Sequence, residues 1–485
     1  MVFLTAGAGG MYCGSCLRDH GLVKALRLSG HETMLVPLYT PVRTDDAVNV
    51  SEDAVFFGGI NVFLQQKWPW LKHVPLSWDR WLNQPWILRR LIGEPTQMDP
   101  AFTGALTLSM LAGHDGSQQK EVARLVHWLA GRAEGQPEVV LLSNLLVAGC
   151  LPALRDAFPE CVFVVTLQGD DLFLDELSEP YRSEVIDALR RLALQVDGFL
   201  VFARFYAENM AALLDISTSK FRCLPLGVES GFAPRSGETH DVPVIGYLAR
   251  VCPHKGLHRL MDAYLVLVKR PGLEGCQLKI AGWLGQADCA YLDEQLEKAE
   301  AAGVGGQVNY VGELDREAKQ VFLRGLDVFS VPSVYEEPKG LSILEAMACG
   351  VPCVQPDHGI FAEMCGPGRG SVLCDPHEET WERHFTPLIK DRPLIRAFAE
   401  ELPFKDNAFD LSLDCNFLAT RIPQNVANTI RAIHILNFEK VLDQKEIQKY
   451  NIRGTIILSP EGINGTIAGN SRDINKIIKT LKTFG

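Results

Sequence analysis

The sequence predicts an α/β protein of two doubly wound, Rossmann-like lobes facing a cleft, with a small α/β appendage at the C-terminus. Three observations lead there. Short apolar runs alternate with amphipathic stretches through most of the 485 residues, the pattern of parallel strands joined by crossover helices. The alternation pauses at Arg235-Ser-Gly-Glu-Thr-His-Asp-Val-Pro243, a polar, turn-rich linker, and then restarts. Past about Ala399 the character of the chain changes again. The expected divisions are a first lobe over 1–234, a second over 244–398, an irregular connector over 399–432 and a small unit over 433–485.

Composition bounds the class. A hydrophobic content of 47% and a charged content of 22% are ordinary for a globular protein, and the length provides ample core. The net charge of −12 argues against a general nucleic-acid binder, which would be basic. Met1-Val-Phe-Leu-Thr-Ala6 reads as a first strand, because it lacks the basic start, long apolar core and cleavage site of a signal peptide. No run reaches the roughly 18 apolar residues that span a bilayer. The 13 cysteines are scattered, several inside apolar strands and helices, as reduced thiols in a reducing compartment would be. A cytoplasmic protein is expected.

In the first lobe, strands are predicted at Val2–Thr5, Glu32–Pro37, Val139–Leu142, Val162–Leu167, Gly198–Val201 and Arg222–Leu226. Helices are predicted at Ser15–Leu28, Gln118–Ala133 and Glu179–Leu194. Gly7-Ala-Gly-Gly-Met-Tyr-Cys-Gly-Ser-Cys16 follows the first strand and opens a helix. Its glycines let the backbone approach a ligand, with Gly9 and Gly10 the best candidates, but it is not a G-x-G-x-x-G dinucleotide loop. Cys13 and Cys16 form a C-x-x-C without the two further ligands that zinc requires. They read as structural or acceptor-facing cysteines ahead of a redox pair. Val162-Phe-Val-Val-Thr-Leu-Gln-Gly-Asp-Asp-Leu-Phe173 ends a strand in a polar turn. There Gln168, Asp170 and Asp171 offer polar side chains to a ligand's hydroxyls, and Asp171 reads equally as a cap on the helical turn that follows.

In the second lobe, strands are predicted at Val244–Leu248, Cys276–Ala281, Val308–Val311, Val328–Val331 and Pro352–Gln355. Tyr247-Leu-Ala-Arg-Val-Cys-Pro-His-Lys-Gly256 sets Arg250 and Lys255 around a Pro turn, directly before a helix at Leu257–Leu267. Alone they read more simply as solvated cations. At a helix N-terminus they also complement a diphosphate whose charge grows as a glycosidic bond breaks. Ser333-Val-Tyr-Glu-Glu-Pro-Lys-Gly-Leu-Ser-Ile-Leu-Glu-Ala-Met-Ala-Cys-Gly350 is the most informative stretch. A strand-like run feeds a Gly turn and then a helix N-terminus, whose unpaired N–H groups and dipole favour phosphate. Glu337 and Glu345 flank that turn and can accept hydrogen bonds from hydroxyls on either side of a diphosphate. An ordinary solvated carboxylate pair is the plainer alternative.

Ser-x-x-Glu-Glu-Pro-x-Gly-Leu-x-x-x-Glu-Ala-Met-Ala-Cys-Gly-x-Pro closely resembles the donor-site signature of retaining glycosyltransferases with the GT-B fold, family 4. The resemblance extends over Met1 to about Phe398, and Leu-Ala-Arg250 through Lys255-Gly256 resembles the family's donor-phosphate motif. It implies a nucleotide-sugar co-substrate, UDP- or GDP-linked, with no resident cofactor and no metal. Glu337 would lie beside the donor sugar, Glu345 on the ribose, and Gly340 and Leu341 at the diphosphate with Arg250 and Lys255. Gly9 and Gly10 would touch the donor phosphate or the acceptor. Two positions depart from the family. Lys339 stands where an aromatic residue is usual and is read as pointing to solvent. Gln168 stands where many members have a histidine touching the donor sugar, and it cannot serve as a general base.

Trp68, Trp70, Trp78, Trp81 and Trp86 are interleaved with Lys67, Lys72, Arg80, Arg89 and Arg90. That mixture over 58–93 suits peripheral contact with the inner membrane face or a glycan surface; packing of a helical insertion explains it as well. Leu402-Pro-Phe-Lys-Asp-Asn-Ala-Phe-Asp-Leu-Ser-Leu413 resembles a strand motif of class I methyltransferases, without their Gly-rich cofactor loop. From Ile433 onward, and most clearly over Ile456-Ile-Leu-Ser-Pro-Glu-Gly-Ile-Asn-Gly-Thr-Ile-Ala-Gly469, the chain resembles the N-terminal domain of rhodanese-like tRNA uridine hydroxylases. Their reactive cysteine lies further on, beyond Gly485. Strands at Gly454–Leu458 and Gly465–Ala468 and a helix at Arg472–Leu481 are expected there, as part of a composite chain. The expected function is sugar transfer with retention from a nucleotide-sugar to a glycan, lipid or small-molecule acceptor, the first lobe binding acceptor and the second donor. A GT-B sugar phosphorylase is the alternative, and the tail alone suggests an RNA-modification adaptor.

Overall fold

The computed structural model describes residues 1–6, 14–28, 30–39, 100–132, 135–224, 226–228, 232, 242–365, 371–378, 380–390, 453–459 and 462–468. Met1–Leu402 forms one compact unit and Pro403–Gly485 another.

The first unit holds two parallel six-stranded sheets. The first lobe runs β1 (Val2–Thr5), α1 (Gly14–Leu28), β2 (Met34–Pro37), α2 (Pro100–Leu111), α3 (Gln119–Ala130), β3 (Val139–Leu142), α4 (Leu151–Ala157), β4 (Val162–Thr166), α5 (Asp170–Asp175), α6 (Tyr181–Leu194), β5 (Gly198–Val201), α7 (Arg204–Leu214) and β6 (Phe221–Cys223). Its strand order is β2-β1-β3-β4-β5-β6. β1, β3 and β4 are buried along their whole length, which is why they read as unbroken apolar runs: helices cover both faces of a parallel sheet. The covering helices are amphipathic. α6 buries Val185, Ile186, Leu189, Leu192 and Ala193, one face of a 3.6-residue repeat.

The second lobe runs β7 (Val244–Leu248), α8 (Leu257–Leu267), β8 (Gln277–Ala281), α9 (Cys289–Ala301), β9 (Val308–Tyr310), α10 (Arg316–Arg324), β10 (Val328–Phe329), α11 (Leu341–Ala348), β11 (Cys353–Pro356), α12 (Ile360–Met364), β12 (Ser371–Cys374) and α13 (Glu382–Lys390). Its order is β12-β11-β10-β7-β8-β9. The strand expected over Val328–Val331 ends at Phe329: Ser330 N–H still donates to Gly246 O at 3.0 Å, but Val331 N–H turns to the Gln355 side-chain oxygen at 3.3 Å and Ser333 N–H donates to Val331 O at 2.8 Å. The helix expected to reach Ala133 stops at Ala130, where Gly131 N–H bonds back to His127 O. β12 was not expected.

In the second unit the described residues form an antiparallel hairpin, β13 (Arg453–Ser459) with β14 (Gly462–Ala468), paired Arg453 to Ala468 and Ser459 to Gly462. These are the two strands expected there. The helix over 472–481, the connector over 399–432, the Trp-rich segment 58–93 and linker residues 235–241 lie outside the described residues. Among the described residues no helix is long and apolar enough to cross a membrane.

Candidate active site

In the second sheet β7 has β8 on one side and β10 on the other. The sequence order therefore reverses between β7 and β10, and a ligand crevice is expected at their C-terminal ends. Lys255 follows β7 and Glu337 follows β10, so the two are brought together there.

Glu337 is buried. Its carboxylate pairs with the Lys255 ammonium, and the Tyr335 hydroxyl donates to the same oxygen, Oε2, at 2.7 Å. Lys255 also meets the Tyr335 hydroxyl and lies 4.9 Å from the centre of that ring. Burial by itself pushes the Glu337 carboxyl up; the Lys255 charge and hydrogen bond, with Lys339 and Tyr335, outweigh it and hold it at about 2. Burial and the neighbouring Glu337 charge push the Tyr335 phenol well up, so it stays a neutral donor. The loop is pinned from behind. Glu337 O accepts Ile360 N–H at 2.8 Å, and a His358 ring N–H donates to Ser333 O at 3.1 Å. Burial pushes the His358 pKa down, which keeps that imidazole neutral. Gly359 adopts φ 59°, and a Cβ there would sit 2.6 Å from Glu337 N.

Gly340 is the N-cap of α11 at φ 67°, a left-handed conformation that glycine adopts most easily. It leaves the first N–H groups of the helix, beginning with Leu341, aimed out of the turn. Glu345 lies further along α11, buried, with Lys319 Nζ of α10 at 2.6 Å from Oε1. Arg250 is placed differently from Lys255. Its side chain is 58% exposed, pairs with Asp288 at 3.2 Å and lies over the Trp283 ring at 5.3 Å.

In the first lobe, Gln168, Asp170 and Asp171 follow β4. Gln168 Nε2 donates to Ser143 O at 2.6 Å, while its buried Oε1 has no hydrogen-bond partner. Asp170 accepts the Leu145 N–H at 2.7 Å and the Gln168 N–H at 3.0 Å, and burial raises it to about 6 despite those bonds. Asp170 thus ties the turn to the 3₁₀ segment after β3. The Asp171 side chain does not cap α5, whose N-cap Gly169 has no side-chain cap bond. It accepts the Tyr206 hydroxyl at 2.6 Å, and that oxygen in turn accepts the Gly169 and Asp170 N–H groups at 2.9 and 3.0 Å. Burial raises Asp171 as well.

The lobes meet around these loops. Lys339 does not point to solvent as expected: its ammonium donates to Ser15 Oγ on α1 at 2.9 Å. Once the Glu337 loop folds over, the site where an aromatic was usual faces the other lobe. Asn209 Nδ2 donates to Glu336 Oε2 at 3.3 Å. The Glu363 carboxylate accepts the Arg204 and Phe205 N–H groups at 3.0 and 2.9 Å, capping α7 from across the boundary. Gly9, Gly10 and Cys13 lie outside the described residues, and Cys16 is described only as part of the α1 backbone. Sequence reasoning missed Tyr335, Tyr206, Lys319 and Glu363. Tyr335, two residues before Glu337, was within reach of a local reading; the other three act over distances that no spacing encodes.

Residues 232–402 match the family described as glycosyl transferases group 1. Anabaena Alr3699/HepE, solved in complex with UDP and glucose, matches with a TM-score of 0.56 at 15% identity, over 91% of this chain and 98% of its own. Sucrose-phosphate synthase from Thermosynechococcus elongatus matches with a TM-score of 0.58 at 16% identity, over 92% and 99%. The fold is GT-B. Among curated relatives, D-inositol 3-phosphate glycosyltransferase of Rhodococcus opacus is 26% identical over 161 residues, 33% of this chain and 36% of that protein. Mannosylfructose-phosphate synthase of Agrobacterium fabrum is 28% identical over 137 residues, 28% of this chain and 30% of that protein. The chain thus spans about a third of the length of these two relatives. Beyond the GT-B body, residues 434–485 match the UPF0176 acylphosphatase like domain.

Proposed function

We propose that the GT-B body is a nucleotide-sugar-dependent glycosyltransferase acting with retention. The observation that carries this reading is the charged, buried Glu337, held by Lys255 and Tyr335 at the mouth of an uncapped helix N-terminus. Glu337 accepts hydrogen bonds from the donor sugar and Glu345 from the ribose. The N-terminus of α11, Lys255 and Arg250 receive the diphosphate and the charge that builds on it as the glycosidic bond breaks. Arg250 must leave Asp288 to do so, a move open to it because its own side chain is exposed. The transition state has oxocarbenium character. The acceptor hydroxyl attacks from the face the diphosphate leaves, and a diphosphate oxygen takes its proton. The unpartnered Gln168 Oε1 supplies an acceptor for a sugar hydroxyl in the first lobe.

The donor is UDP- or GDP-linked, and binding needs no metal. HepE is described with UDP and glucose, which supports the uridine form. The two curated relatives are named for phosphorylated small molecules, so that acceptor class is the first to try, with glycans and lipids next. The test is calorimetry and thermal shift on the full chain with UDP and GDP, with and without chelator. A nucleotide at 100 times its Kd should add about 2.7 kcal/mol of stability. Glu345→Ala should weaken nucleotide binding, and Glu337→Ala should chiefly lower turnover; equal losses of affinity in both would end that division of roles. Release of sugar phosphate with inorganic phosphate alone would instead identify a phosphorylase.

A further inference from the structure

Glu345 is buried on a helix whose Ile343, Leu344, Ala346 and Met347 are buried beside it. A carboxylate in such surroundings stays ionised only with a cation close by. Lys319 provides one, with Nζ 2.6 Å from Oε1, and its position is built rather than incidental. α10 is capped by Asp315, whose Oδ1 accepts the Ala318 N–H at 2.8 Å and whose carbonyl accepts the Lys319 N–H at 2.9 Å. The same ammonium lies 5.4 Å from the centre of the Phe232 ring.

A carboxylate only accepts hydrogen bonds, whereas an ammonium has three N–H donors, one of them used on Glu345. A vicinal diol needs both kinds of partner, because each hydroxyl gives a proton and offers lone pairs. We infer that Lys319 is a second ribose-binding group, forming with Glu345 a mixed donor and acceptor seat for the 2′- and 3′-hydroxyls of the nucleotide. This deepens the donor-site reading and rests on it. Glu345 accepts from the diol, and Lys319 donates to a hydroxyl oxygen while holding the Glu345 carboxylate in place. A deoxy analogue would leave the buried Glu345 and its half-buried Lys319 short of a partner, a situation in which a polar site discriminates strongly.

The test compares UDP with 2′-deoxyuridine diphosphate, and GDP with its deoxy form, by calorimetry on the full-length chain. Variants are Lys319→Met, Lys319→Gln, Lys319→Arg, Glu345→Gln and the Lys319→Met/Glu345→Gln double. The wild type should prefer the ribo form about tenfold. Lys319→Met should cut that preference to about twofold while changing affinity for the deoxy form by less than about threefold. Lys319→Arg should restore most of the preference, and the double variant should lose more of it than Glu345→Gln alone, since Lys319 makes its own bond to the diol; a double variant equal to Glu345→Gln would show that Lys319 acts only through Glu345 and would overturn the inference. A purely structural lysine would weaken both forms alike and leave their ratio intact, and that result in Lys319→Met overturns the inference by itself. Should Lys319→Met fail to fold, Lys319→Gln decides in the same way. Binding of neither UDP nor GDP to the wild type removes the donor-site reading and this inference together.

Discussion

Glu337 and Asp170 are both buried carboxylates, yet their surroundings move them in opposite directions. Glu337 falls from the ordinary 4.5 to about 2, so it binds fewer protons folded than unfolded near pH 4. Its stabilising effect is complete above pH 4.5 and is lost as pH falls through 2. The shift corresponds to at most on the order of 3 kcal/mol, and Glu337→Gln should flatten the acid limb of the unfolding free energy measured by denaturant titration. Asp170 rises from 3.8 to about 6, so its contribution has the other sign: stability is greatest below pH 3.8 and declines up to pH 6. Asp170→Asn should remove that decline; an unchanged slope would show that the carboxyl titrates normally. Lys255→Met leaves Glu337 buried without its cation and should cost about 3–5 kcal/mol in the same titration at neutral pH.

At the scale of elements, the site depends on turns that hold two loops in place. Gly359→Ala places a Cβ 2.6 Å from Glu337 N at a φ of 59°. The loop must shift, so stability should fall by about 1–3 kcal/mol, with a loss of turnover larger than that destabilisation explains. Tyr206 does similar work in the first lobe, where one hydroxyl serves Gly169, Asp170 and Asp171. Tyr206→Phe keeps the ring and orphans those groups, and should cost about 1–3 kcal/mol by thermal or chemical unfolding. A neutral outcome would mean that water replaces the hydroxyl.

For the whole molecule, specific polar bridges join the lobes among the described residues. Glu363 caps α7 of the first lobe from the second, a contact of the kind worth about 0.5–2 kcal/mol. Glu363→Ala should shift the lobes toward a more open average, seen as a larger radius of gyration in small-angle scattering without ligand and a smaller difference with UDP present. An unchanged radius would show that other contacts set lobe spacing. Because Met1–Leu402 is a compact unit by itself, a chain ending at Leu402 should keep the nucleotide affinity of the full protein. Loss of binding on truncation would make the C-terminal unit part of the enzyme.

The alternation of apolar runs was enough to predict two wound sheets, because a strand buried on both faces has nowhere to place a polar residue; β1, β3 and β4 show this directly. The Gly340 turn between Glu337 and Glu345 was legible for a similar reason: strand, turn and helix are consecutive, so one short stretch carries them all. What tertiary structure decided was the set of partners. Lys255 is 82 residues from Glu337, Lys319 is 26 from Glu345, and Lys339 is 324 from Ser15. Their charges are visible in the sequence, but whether each meets solvent, a carboxylate or the opposite lobe depends on where the β7–β10 reversal and the lobe contacts bring the backbone. Arg250 and Lys255 looked equivalent five residues apart; folding set one, half-buried, against Glu337 and left the other exposed beside Asp288.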